Sequence, residues 1–84
     1  MHRPAPPGTA AVRLRTAQFR QYAEAYGLST ESDIAGHTGL DRSTLNRLLR
    51  GDIAPGNRIV ASFLLAFPDR RFEDFFEVEQ ARAA

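Results

Sequence analysis

The segment IAGHTGLDRSTLNRLLRG, residues 34–51, runs from a short apolar pair through a glycine turn into a helix of leucines and arginines. At 3.6 residues per turn, Leu45, Leu48 and Leu49 fall at i, i+3 and i+4 and make one inward stripe. Arg42, Ser43, Asn46, Arg47 and Arg50 then share the opposite face, where solvent or a partner meets them. Asp41 is placed to cap this helix and Gly51 to end it. Before it, Gly39 supplies a positive φ for a tight turn and Leu40 plugs inward. Upstream, Ser29 or Thr30 can cap a short helix with Glu31 and Asp33 in its first turn, where acids suit the helix dipole. Ile34 and Ala35 are its inward residues, and it ends near Thr38.

Working outward, Val12, Phe19, Tyr22, Ala23 and Tyr26 recur at helical spacing, so a first helix is expected over 12–26, closed by Gly27. DIAPGN, residues 52–57, is a loop with proline and glycine. A fourth helix is expected from Asn57 to Phe67, with Val60, Phe63, Leu64 and Phe67 as its stripe and Pro68 as its stop. Asp69 can cap a fifth, in which Phe72, Phe75 and Phe76 are apolar at i, i+3 and i+4. No segment alternates long enough to predict a strand. The expectation is an all-α fold, a compact five-helix domain over residues 11–78. It is flanked by a proline-rich arm, 1–10, expected to be disordered, and a flexible tail, 79–84.

Eighty-four residues make one domain with a modest core. Cysteine is absent, which removes disulfides and thiolate metal sites and suits a reducing interior. No apolar run is long enough for a membrane span, and MHRPAPPGTA lacks the apolar stretch of a signal peptide, so a cytoplasmic location is expected. Net charge is only +1, but it is unevenly spread. Residues 1–58 hold eight arginines against five acids, while residues 59–84 hold three against five. Every basic residue is arginine, as GC-rich coding produces.

STESDIAGHTGLDRSTLNRLLRG, residues 29–51, resembles the helix-turn-helix of phage lambda repressor and Cro-type DNA-binding domains. Ala35 stands mid-helix where the next helix crosses closely, Gly39 opens the turn, and Leu40 and Leu45 pin the two helices. The resemblance continues through Ala54-Pro55 and FEDFF, residues 72–76, and so covers about residues 12–77. It implies a transcriptional regulator, a small phage or actinobacterial-type repressor, whose third helix enters the major groove of double-stranded DNA. Arg42, Ser43, Asn46 and Arg47 then match base-reading positions, arginine suiting guanine O6 and N7 and asparagine suiting adenine N6 and N7. Thr30, Arg50, Asn57 and Arg58 match places that grip phosphate, helped by free backbone N–H groups at the start of the fourth helix. The family commonly carries glutamine at the start of the second helix, whereas this chain has Glu31 and Asp33. Acids there repel phosphate, so Glu31 is expected either to orient Arg42 or to stand clear of the DNA.

A single copy of such a motif reads few base pairs, which implies a homodimer on a palindromic operator. The acidic-aromatic segment Phe72–Val78 is the candidate seam. Arg3 of the arm could reach a minor groove. His37 is expected to be a plain surface residue. Only His2 stands besides it, so no metal site or other cofactor is expected. Ser43, His37 and Asp41 crowd a turn with no pocket, so no enzyme is expected. The alternative from another class is a protein-binding module on the same fold, an antitoxin or a partner of the transcription machinery. Glu31, Asp33 and the near-neutral charge favour that alternative; Arg42, Asn46, Arg47, Arg50 and Arg58 favour DNA.

Overall fold

A computed structural model gives the fold and describes residues 10–80. The elements run β1 (Ala10–Leu14), α1 (Thr16–Ala25), α2 (Glu31–Thr38), α3 (Arg42–Leu49), α4 (Asn57–Ala66), α5 (Phe72–Phe75) and β2 (Phe76–Gln80). The two strands pair antiparallel, with Val12 opposite Val78 and Leu14 opposite Phe76. The all-α expectation is therefore wrong: five helices pack with a two-stranded sheet that joins the two ends of the described chain. The first helix does not begin at Val12, because residues 10–14 are strand. The fifth stops at Phe75, because Phe76 opens β2. The strand extends through Glu79 to Gln80, and β1 takes in Ala10. The remainder of the arm, with Arg3, and residues 81–84 lie outside the described residues.

The strands have a physical logic that their five-residue length hides. Val12 and Leu14 alternate with Arg13 and Arg15, and Phe76 and Val78 alternate with Glu77 and Glu79. Basic β1 thus meets acidic β2, and diagonal ion pairs form: Arg13 to Glu79 at 3.1 Å and Arg15 to Glu77 at 3.5 Å. Exposed pairs of this kind contribute about 0–1 kcal/mol each, so they select the partner more than they stabilise it. The junctions are bonded as well. Arg15 N–H donates to Phe75 O at 2.7 Å, and the Gln18 amide donates to Asp74 O at 2.6 Å.

The core centres on Phe19, Phe63, Phe67, Phe75 and Phe76, with Ile34, Leu45 and Leu48 beneath the α2–α3 pair. Phe19 lies 4.8 Å from Phe63, 5.3 Å from Phe75 and 5.9 Å from Phe67, ring centre to ring centre. Edge-on and tilted arrangements such as these suit aromatic quadrupoles. This placement removes Phe75 and Phe76 from the expected dimer seam, since they are 0% and 1% exposed within their own chain. Phe72 is half-buried and stacks on Phe76. Of that segment's apolar residues only Val78, 65% exposed, faces solvent.

Local chemistry sets the α2–α3 pair. Thr30 caps α2 with a reciprocal box: its hydroxyl accepts from Asp33 N–H at 3.0 Å, and the Asp33 carboxylate accepts from Thr30 N–H at 3.3 Å. Gly39 ends α2 in the left-handed region, φ 78°. Asp41 caps α3 by accepting from Thr44 N–H. Leu45, Leu48 and Leu49 are all buried, as their spacing requires.

Gly39→Val should cost about 1–3 kcal/mol, because a β-branched residue at positive φ is strained. A Cβ at Gly39 would meet no atom within 4 Å, so the cost is conformational rather than steric crowding. Gly39→Asn, which tolerates this region, should therefore melt close to wild type. Thermal melts of the two variants side by side check this, and equal melting of Val and Asn would contradict it.

Candidate nucleic-acid interface

The polar side of α3 carries Arg42, Ser43, Arg47 and Arg50 exposed and Asn46 half-buried, opposite the buried leucines. Its cations differ in what they hold. Arg50 lies 3.5 Å from the Asp52 carboxylate. Arg42, Arg47 and Arg58 form no ion pair among the described residues. Asn57 and Arg58 are exposed in the first turn of α4, which Gly56 leaves without a side-chain cap. Unshared N–H groups and the positive helix end therefore stand beside Arg58.

The acids expected to repel phosphate are engaged within the chain. Asp33 closes the capping box with Thr30. Thr30 is exposed, and its oxygen accepts in that box while its hydroxyl hydrogen stays available to an acceptor. Glu31 does not orient Arg42, as one of the sequence-based alternatives had it. Its carboxylate accepts from the Asn46 side-chain amide at 3.1 and 3.4 Å and lies 3.9 Å from the Arg20 guanidinium. The bond ties the first residue of α2 to the centre of α3. No feature of the sequence picks Asn46 over Arg42 as the partner of Glu31, because both lie on one α3 face and only the packing of α2 on α3 sets which is nearer.

Glu31, Arg42, Ser43 and Asn46 together line an open depression at the N-terminal half of α3. Ser43 Oγ donates to Asp41 Oδ2, and this bond, with Thr44 N–H, holds the Asp41 carboxyl below the usual carboxylate range. A second groove, of about 280 Å³, lies between β1 and the 51–55 loop. Val12, Leu14, Leu48, Ile53 and Pro55 line it, and its charged Arg13 and Glu79 are paired with each other.

His37 is exposed but is more than a plain surface residue. Its Nε2 bonds Ala66 O at 2.7 Å, and its ring packs 4.9 Å from Phe67 and 5.7 Å from Tyr26. The Tyr26 hydroxyl donates to Asp69, which raises the phenol's pKa and lowers the carboxyl's. His37 therefore joins the ends of α2 and α4 through its Nε2. Among the described residues no group of three or more His, Cys, Asp or Glu side chains could hold a metal ion, and no helix is long and apolar enough to cross a membrane. No family model, curated protein or solved structure matches this chain.

Proposed function

We propose that this chain is a sequence-specific double-stranded DNA-binding regulator of the helix-turn-helix class, a repressor that places α3 in the major groove. The observation that carries the reading is the exposed, unpaired state of Arg42, Arg47 and Arg58, among the described residues, while Glu31 and Asp33 hold hydrogen-bond partners within the chain. Free guanidiniums on α3 and at the start of α4 are suited to guanine edges and phosphates. In this reading Arg42, Ser43, Asn46 and Arg47 face bases, and Thr30, Arg50, Asn57 and Arg58 face phosphates. Arg50 exchanges its weak exposed pairing with Asp52 for a phosphate. Two copies occupy a palindrome with half-site centres about one helical turn apart, and the protein works in the cytoplasm.

Arg42→Ala should cost about 1–3 kcal/mol on the best site selected from random duplex and relax discrimination there. Arg58→Ala should weaken selected and random duplex alike, and should flatten the plot of log affinity against log salt by about 0.9. Fluorescence anisotropy with both duplexes at several salt concentrations reads both effects. A protein-binding module remains the second reading, favoured by Leu65 standing 81% exposed on α4. Unchanged DNA binding in both Arg42→Ala and Arg47→Ala would move the function there.

A further inference from the structure

One edge of the small sheet is left open, and the phase of its backbone bonds shows which groups stand there. Arg15 N–H donates to Phe75 O, and the register sets Val12 opposite Val78 and Leu14 opposite Phe76. Hydrogen-bonded and non-hydrogen-bonded pairs alternate along an antiparallel ladder, so Ala11 and Arg13 turn their N–H and C=O groups to β2. Val12 and Leu14 turn theirs the other way. Among the described residues no backbone bond outside the ladder and the helices engages them. Both residues are half-buried, and backbone groups withdrawn from water call for a partner. Ala10–Leu14 has no proline or bulge to bar a further strand.

The groove of about 280 Å³ between β1 and the 51–55 loop runs along this edge. Ala11, Val12, Arg13 and Leu14 all line it. Side chains of consecutive strand residues alternate between faces, so four in a row share one groove only along their backbone edge. Leu48, Ile53 and Pro55 make its far wall apolar. Asp52 reaches it too, but lies 3.5 Å from Arg50. The chain itself shows what β1 pairs with. On its other edge it holds FEVEQ, residues 76–80, with Phe76 and Val78 opposite Leu14 and Val12 and with glutamates beside Arg13 and Arg15.

We propose that the open edge of β1 takes a third strand from another protein, an extended segment that alternates apolar and acidic residues. Its backbone pairs with Val12 and Leu14, its apolar side chains enter the groove against Leu48, Ile53 and Pro55, and its acids lie beside Arg13. A second copy of this chain suits the place less well. Its β2 has the right pattern but is already paired, and β1 beside β1 sets two arginine-bearing faces together with no acid to answer them. The site lies off the arginine face of α3 and does not depend on the DNA reading.

Two end-blocked hexapeptides test it, one alternating valine with glutamate and one alternating valine with arginine, each titrated into the whole chain and followed by amide NMR. The glutamate peptide should shift the Val12 and Leu14 N–H signals and slow their exchange with solvent. It should bind about tenfold or more tighter than the arginine peptide. N-methylation of one alternate set of its N–H groups should abolish binding. Methylation of the other set, which points away from β1, should leave affinity within about twofold. The double variant Arg13→Glu with Glu79→Arg keeps the cross-strand pair and should shrink the preference for glutamate, with a melt to confirm that it is folded. Equal binding of the two peptides, equal tolerance of the two methylation patterns, or a preference unchanged by the charge swap overturns the inference. So does the absence of any binding by the glutamate peptide up to about 1 mM. Val12 and Leu14 amides that exchange as slowly as those of Ala11 and Arg13 in the chain without peptide also overturn it. In that case protection that grows with protein concentration assigns the edge to a second copy, and protection that does not assigns it to the chain itself.

Discussion

Phe19→Ala should remove about a quarter or more of the chain's stability. Phe19 is fully buried at the centre of the aromatic cluster, touching rings contributed by α4 and α5. Truncating a buried phenylalanine costs about 3–5 kcal/mol, from lost transfer free energy and the cavity left behind. A domain this small holds about 4–12 kcal/mol in all. The surrounding rings cannot easily collapse into the gap, since they pack on one another across it: Phe63 and Phe75 lie 6.0 Å apart and Phe67 and Phe75 5.1 Å apart. With a urea m-value of about 1–2 kcal/mol/M, the unfolding midpoint should fall by about 1.5–5 M. A midpoint within experimental error of wild type would mean that Phe19 does not hold the core together.

Leu45→Ala should cost about 2–5 kcal/mol, because Leu45 is also fully buried and is the first inward anchor of α3. Its position makes it a useful contrast with the polar side of the same helix. Arg47 is exposed and unpaired among the described residues, so Arg47→Ala should change stability by no more than about 0.5 kcal/mol. If α3 is the DNA-reading helix, Arg47→Ala nonetheless loses affinity for the selected duplex while keeping its melt. Leu45→Ala should lose affinity in proportion to the folded fraction that remains, recovering when temperature is lowered or the fold is otherwise stabilised. Urea melts and anisotropy titrations on the two variants separate the buried contribution from the exposed one. A Leu45→Ala protein as stable as wild type would show that the leucine stripe does not seat α3.

The α2–α3 segment was legible because its determinants are local. Thr30 with Asp33, Gly39, and Asp41 with Thr44 act over two to four residues, and Leu45, Leu48 and Leu49 share a face by helical period alone. Capping, a left-handed turn residue and a leucine stripe mean the same thing in almost any tertiary setting. Boundaries and partners beyond that range were less legible. Val12 sits at helical spacing from Phe19, and Phe76 from Phe72, so each end of the chain fits a helix as well as a strand.

The β1–β2 sheet settles that ambiguity, since Val12 pairs with Val78 across 66 residues and neither strand is long enough to declare itself alone. Pairing satisfies both backbones at once and aligns Arg13 and Arg15 with Glu79 and Glu77, a gain that exists only when the strands are side by side. The same holds at the candidate interface. Residue identity placed arginines, a serine and an asparagine on one helical face. The docking of α2 against α3 brought Glu31 to Asn46 and so engaged an amide donor of that face within the chain. Local propensity and period act through the chain, whereas strand pairing and side-chain hydrogen-bond partners depend on groups that meet only in the folded state.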